Sequence, residues 1–159
     1  MPSEIRIRTM EFNDIKAIKE IDDKSFLVPY SCAVWERESR NSLSRTLVLV
    51  DEGVDGAASV RGYLNFWIIL DEAEIHRIAV KEEYRRSGVA GRLLKEMFEI
   101  LENMGTMTVH LEVRQSNHDA IKLYEKFGFM IKGRRRGYYE ETGEDALILK
   151  ADVKNRKSP

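Results

Sequence analysis

Residues 73–100, AEIHRIAVKEEYRRSGVAGRLLKEMFEI, pass from strand character to helix period across one glycine-containing turn. In AEIHRIAV (73–80) the side chains alternate, with Glu74, His76 and Ile78 on one face and Ile75, Arg77 and Ala79 on the other. Beyond the turn EYRRSGVAG (83–91), Val89, Leu93, Leu94, Met97, Phe98 and Leu101 recur at helical spacing as one apolar stripe. The unit therefore reads as strand, turn and helix. The first backbone N–H groups of such a helix have no internal acceptor, and the helix dipole puts partial positive charge where they point. An anion fits there. Gly88 has no Cβ to keep a bulky phosphate away, Ala90 and Gly91 keep the wall low, and Arg85 and Arg86 supply guanidinium forks that match phosphate oxygens. The turn lacks the Gly-Lys-Ser/Thr core of a nucleotide P-loop and the first glycine of a dinucleotide fingerprint.

On either side of this unit the chain keeps its punctuation. Ile5 and Ile7 alternate with Arg6 and Arg8 as a first strand, and Asn13 or Asp14 can cap a helix with the stripe Ile15, Ile18 and Ile21. The segment SFLVPYS (25–31) cannot be helical through Val28, because Pro29 follows. Two readings of it stay open: a loop plugged into the core, or a wall for a substrate. A short helix over 33–41, a strand over 46–50, a turn-rich connection over 53–59 and a long strand over 60–70 come next. Phe66 and Trp67 read as core, and Asp71 and Glu72 as the turn into the strand of Glu74. The main helix stops near Gly105. Thr108 to Val113 alternates as a strand, with His110 and Glu112 opposite Val109, Leu111 and Val113. A helix then runs from Asn117 to Gly128, a strand carries the basic run 132–136, and residues 145–150 form the last strand before a frayed tail.

At 159 residues the chain fits one domain, long enough to bury roughly 70% of the surface its unfolded form exposes. Its formal charge of -1, from 26 basic and 27 acidic residues, gives no electrostatic reason to bind nucleic acid or an anionic membrane. The single cysteine, Cys32, excludes an internal disulfide and a cysteine-cluster metal site, fits a reducing compartment, and reads as a small half-buried hydrophobe. The residues 1–8 are short and charged, and no apolar run approaches the ~18 residues that span a membrane. A cytoplasmic location is the expectation.

The block Arg85-Arg86-Ser87-Gly88-Val89-Ala90 resembles the acyl-CoA pyrophosphate loop of the GNAT acetyltransferases: Gln or Arg, two residues, Gly, one residue, then Gly or Ala. Downstream, LEVRQSN (111–117), AIKLYEKFGF (120–129), GYY (137–139) and GEDA (143–146) are similar to the branch that acetylates protein N-termini, the RimI-type and archaeal or eukaryotic N-alpha-acetyltransferases. The resemblance implies a single domain over 5–151 with a charged tail over 152–159. It also implies an α/β (α+β) fold, a mixed sheet of about seven strands flanked by about four helices. Two central strands, 73–80 and 108–113, part there into a V. Acetyl-CoA is then the co-substrate, held by the backbone at Ile78, Ala79 and Val80, by Arg85, Arg86, Ser87, Gly88, Val89, Ala90 and Gly91 around the pyrophosphate, and by Asn117 and Tyr124. No metal is expected; a site using His76 with Glu74 and Glu112 is the remote alternative.

Acetyl transfer from a thioester to an amine needs a neutral amine and a thiolate able to leave. An α-amino group, with pKa about 7.7–8.0, is roughly a tenth neutral at pH 7, whereas a lysine near 10.4 is neutral to only about 0.04%. An N-terminus needs only modest help. By resemblance Glu112 is the base, Glu74 on the facing strand shares its water, and Tyr124 protonates the departing thiolate. Paired carboxylates would raise one pKa, which suits a base. Tyr138 and Tyr139 close over the peptide end, and Pro29 and Tyr30 form the opposite wall. Arg134, Arg135 and Arg136 are a solvated edge, or a grip on an acidic substrate or the CoA 3′-phosphate. The implied activity is N-alpha-acetylation of proteins, ribosomal proteins included, with the ribosome or an auxiliary subunit as further partners. A lysine or small-amine acetyltransferase and a CoA-binding module without catalysis are the alternatives. The tyrosine pair favours a peptide end over the first, and the presence of Glu112 and Tyr124 disfavours the second.

Overall fold

The structure, a computed structural model, describes residues 3–157 and 159. Its strands are β1 (Glu4–Thr9), β2 (Ser44–Glu52), β3 (Ala58–Ile69), β4 (Glu72–Val80), β5 (Thr108–Arg114), β6 (Met130–Tyr139) and β7 (Glu144–Asp152), and its α-helices are α1 (Ile15–Ser25), α2 (Cys32–Arg40), α3 (Val89–Asn103) and α4 (His118–Lys126). The seven strands form one sheet in the order β1-β2-β3-β4-β5-β7-β6. It is mixed: β1, β2 and β3 are antiparallel neighbours, β4 and β5 run parallel, and β7 is antiparallel to both β5 and β6. A parallel neighbour needs a crossover, and α3 supplies it between β4 and β5. Among the described residues no helix is long and apolar enough to cross a membrane.

Contacts divide the chain into two compact units, residues 3–67 with Arg77–Met97 and Ile68–His76 with residues 98–157. In the first, the α1 stripe of Ile15, Ile18 and Ile21 packs with Trp35, Val48, Val50, Val60, Tyr63 and Ala79. Each large side chain buried this way contributes about 1.5–3 kcal/mol. One close approach in this unit requires glycine. A Cβ on Gly62 of β3 would stand 2.8 Å from Val89 Cγ1 and 3.0 Å from the Ala79 carbonyl oxygen, so the first turn of α3 rests directly on the sheet.

In the second unit β5 alternates as its sequence requires, with Val109, Leu111 and Val113 buried and the residues between them half-exposed. Phe98 stacks on Phe127 at 6.1 Å and meets Phe129 at 5.8 Å. The α3 stripe expected from its spacing is buried throughout, from Val89 to Leu101.

Several expectations need correction. Asp14 stands at the N-cap position of α1, but its side chain makes no capping bond, and Asn13 is not the cap. Both lie in a 3-10 turn, Phe12–Asp14, and the Asp14 carboxylate turns back to accept from Arg8 Nη1 at 2.6 Å and from the Glu11 amide at 2.7 Å. Cys32 is exposed, because it opens α2 just after its cap, Ser31, whose hydroxyl accepts from the Val34 amide at 3.2 Å. Phe66 is buried, but Trp67 is only half-buried, its indole N–H donating to Glu38 Oε2 at 2.9 Å. The β3–β4 turn falls on Leu70 and Asp71, with Leu70 at φ 57. The tail is not frayed after 152: Val153 is fully buried, and Arg156 donates to Glu102 Oε2 at 2.9 Å and to the Val153 carbonyl at 2.8 Å.

Candidate active site

The phosphate-type loop lies wholly in the first unit. After β4 the chain makes a 3-10 turn, Glu82–Tyr84, extends at Arg85 (φ -64, ψ 150), and turns left-handed at Arg86 (φ 60) and Gly88 (φ 84) before α3 begins at Val89. The first helical bond of α3 runs from the Arg92 amide to the Gly88 carbonyl at 3.0 Å. The amides of Val89, Ala90 and Gly91 precede it and lie outside the ladder. A Cβ at Gly88 would meet nothing within 4 Å, so the demand for glycine comes from its backbone angle, and the space beside it is open. The turn is braced from within: Ser87 Oγ donates to the Tyr84 carbonyl, Arg85 Nε to the Val80 carbonyl at 3.2 Å, and the Arg61 guanidinium lies 4.4 Å over the Tyr84 ring. Arg85 is thereby drawn back onto β4, and the left-handed Arg86 projects as an exposed cation. This is the donor set a pyrophosphate takes. Ala79 is buried, while Ile78 and Val80 are half-buried.

In the same unit the 25–31 segment divides its labour. Phe26 and Tyr30 pack onto the core, whereas Leu27 and Val28 are 69% and 59% exposed beside exposed Pro29. The anchor was not foreseen from the sequence. Arg77, read only as sharing a strand face with Ile75 and Ala79, lies 3.6 Å over the Tyr30 ring and 4.2 Å over the Phe26 ring, and donates to the Val28 carbonyl at 2.6 Å.

The ionisable side chains expected to do chemistry lie in the second unit. Glu74 faces His110 in the parallel register, and its Oε2 lies 3.7 Å from the Nε2 of both His76 and His110. Glu112 takes different partners. Arg135 Nε on β6 is 2.7 Å from Glu112 Oε1, and the Tyr138 hydroxyl hydrogen-bonds the same carboxylate, which with partial burial pushes the phenol above its usual range. Glu74 adds to that rise, so both carboxylates act on Tyr138. Glu74 thus lies beside two imidazoles and Glu112 beside a guanidinium. Among the described residues no group of three or more His, Cys, Asp and Glu is arranged to hold a metal ion.

Tyr124 is buried against Phe129 at 5.4 Å, and burial drives its phenol well above the ordinary value. It keeps its proton at any working pH. Asn117 caps α4, its Oδ1 accepting from the Ala120 amide at 3.3 Å. Tyr139 is half-buried, with its own phenol raised by burial, under the Arg114 guanidinium at 3.9 Å. Its ring meets that of Tyr138 edge-on at 5.2 Å. A register shift between Arg135 and Tyr139 forms a bulge that Asp145 pins, accepting from the Gly137 amide at 2.9 Å and Arg134 at 3.0 Å. Arg134 and Arg135 lie exposed on the edge strand, each beside an acidic partner within the unit. The sequence signal for the bulge was the GEDA block, whose aspartate had no assigned role.

The model of the Acetyltransferase (GNAT) family matches residues 15–129. A Bacillus subtilis (strain 168) protein provisionally named a ribosomal protein bS18-alanine N-acetyltransferase is 35% identical over 150 residues, 94% of this chain and 96% of that protein. An N-alpha-acetyltransferase of Saccharolobus solfataricus is 32% identical over 151 residues, 90% of each chain. The crystal structure of the ribosomal-protein-S18-alanine N-acetyltransferase from Escherichia coli superposes with a TM-score of 0.84 at 30% identity, covering 94% of each chain.

Proposed function

The chain belongs to the GNAT acetyltransferase family, and from that premise we propose that it acetylates the α-amino group of protein N-termini with acetyl-CoA, a ribosomal protein beginning with alanine being the favoured substrate. The observation that carries this is the Glu112 carboxylate on β5, its Oε1 2.7 Å from Arg135 Nε on β6, the strand that bears the tyrosine pair. Relatives named for ribosomal protein S18 and for N-alpha-acetylation support the class of acceptor.

Acetyl-CoA supplies the activated acyl group; the amide N–C bond forms as the thioester C–S bond breaks. The amides of Val89 to Gly91 and the Arg86 guanidinium suit the pyrophosphate, and the open space beside Gly88 admits it. Glu112, with Glu74 in support, takes the proton that the α-nitrogen must lose. Tyr124, held protonated by burial, donates a hydrogen bond to the sulfur as it gains charge. A CoA-type thiol near pKa 8.5 leaves tolerably as thiolate, so a donor suffices and full proton transfer is unnecessary.

The test is incubation with acetyl-CoA and a peptide library varied at its first two residues. Acetylation concentrated on free N-termini beginning with small residues is expected. Uniform acetylation regardless of the first residue would remove the ribosomal-protein assignment.

A further inference from the structure

We propose that Arg135 is a displaceable cap on Glu112, occupying the carboxylate oxygen that the substrate's α-ammonium must reach. The proposal rests on the N-terminal acetyltransferase reading and deepens it, since it names a residue that tunes acceptor binding.

Arg135 Nε stands 2.7 Å from Glu112 Oε1, the separation at which an ammonium N–H would sit on the same oxygen. The two ends of the pair differ in freedom. The Glu112 side chain is 20% exposed on β5, and the Arg135 side chain is 55% exposed on β6, at the edge of the sheet. Further restraint on the guanidinium is slight, the Tyr138 ring lying 5.6 Å away. Its two neighbours differ in this respect: Arg134 is fixed to Asp145 and Gln115, and Arg114 to Glu141 and Thr142. A half-exposed ion pair of this kind contributes little to stability and is cheaply broken. Every cationic acceptor therefore binds only to the uncapped fraction of the enzyme, and its apparent affinity is reduced by that fraction.

The experiment compares wild type, Arg135→Met and Arg135→Lys. Its readouts are KM and kcat for a free-amine peptide, and inhibition constants for the same peptide with its α-nitrogen dimethylated, still a cation, or acetylated, uncharged. Arg135→Met should lower KM and the inhibition constant of the dimethylated peptide by about two- to fivefold, the range of an exposed ion pair. It should leave the acetylated peptide unchanged, and Arg135→Lys should stay near wild type. The gain of Arg135→Met should vanish when Glu112→Gln is added, read by inhibition. A KM that rises or stays the same, or an equal gain for the acetylated peptide, overturns the cap. A wild-type protein that acetylates no free-amine peptide counts against the proposed function, whereas an active wild type with an indifferent Arg135→Met counts against the cap alone.

Discussion

Arg77 Nη1 donates to both carboxylate oxygens of Asp22, at 2.9 and 3.0 Å, inside the first unit. Asp22 has no exposed surface and also accepts from the Tyr63 hydroxyl at 2.5 Å and the Tyr30 amide at 2.6 Å. A buried carboxylate is tolerable only with partners of this number and charge. The same arginine stacks on Phe26 and Tyr30, so one residue of β4 holds both the buried acid and the loop that exposes Leu27 and Val28.

Arg77→Met should therefore cost about 3–5 kcal/mol, because it strands a buried charge, and Tyr63→Phe about 1–3 kcal/mol, for one lost partner. Urea denaturation measures both. A loss below 1 kcal/mol for Arg77→Met would show that Asp22 is not sustained by this pair. Amide exchange of residues 26–31 should quicken in the same variant.

The seat of α3 gives a second expectation. Gly62→Ala presses a Cβ against Val89 and the Ala79 carbonyl and should destabilise by about 1–3 kcal/mol through overpacking, with weaker CoA binding as the first turn of α3 shifts. Gly88→Ala meets no atom but keeps φ at 84, a left-handed strain of about 1–2 kcal/mol. Calorimetry should find CoA bound about tenfold less tightly. Unchanged CoA affinity in both variants would detach this loop from the coenzyme.

Glu112→Gln should lower turnover at neutral pH by about 10²–10⁴. The loss should shrink above about pH 8, where the α-amine, with pKa about 7.7–8.0, loses its proton unaided. Glu74→Gln should cost less, its carboxylate being held beside two imidazoles. Tyr124→Phe should slow turnover without abolishing it. A pH–rate profile of Glu112→Gln parallel to that of wild type would move the base to Glu74 or to solvent.

Asp145 lies below the usual carboxylate range, first through the Gly137 amide and then through Arg134, and Glu141 is lowered through its own backbone amide and Arg114. A lowered pKa means the folded state binds protons less readily than the unfolded chain, so the stabilisation is full above the ordinary values of 3.8 and 4.5 and is lost as pH falls through the folded ones. The Gly137 amide resonance should move with Asp145 protonation below about pH 4. In Asp145→Asn that titration should disappear. Its persistence would assign the shift to another group.

Much of this architecture was legible because it depends on local periodicity. The alternation of Thr108–Arg114, the α3 stripe and the left-handed glycines at 88, 105 and 128 each follow from spacing or from a single residue's steric freedom. Choice of partner was not legible. Arg77 reaches Asp22 from 55 positions away, and Arg135 meets Glu112 only because β7 pairs with both β5 and β6. An acidic residue on a strand face looks the same whether its neighbour will be a second carboxylate, an imidazole or a guanidinium; strand order decides. Cys32 and Trp67 were misread for a related reason: hydrophobic identity predicts burial only on average, and a helix's first residue or a strand's last turn outward lies beyond that average.

The central claim is that the acceptor is a chain terminus. The most direct measurement is tandem mass spectrometry of one lysine-containing peptide, offered with a free or a blocked α-amine, after incubation with the protein and acetyl-CoA. One acetyl group on the α-nitrogen of the free peptide and none on the blocked one is the predicted result; acetyl-lysine on the blocked peptide would contradict it.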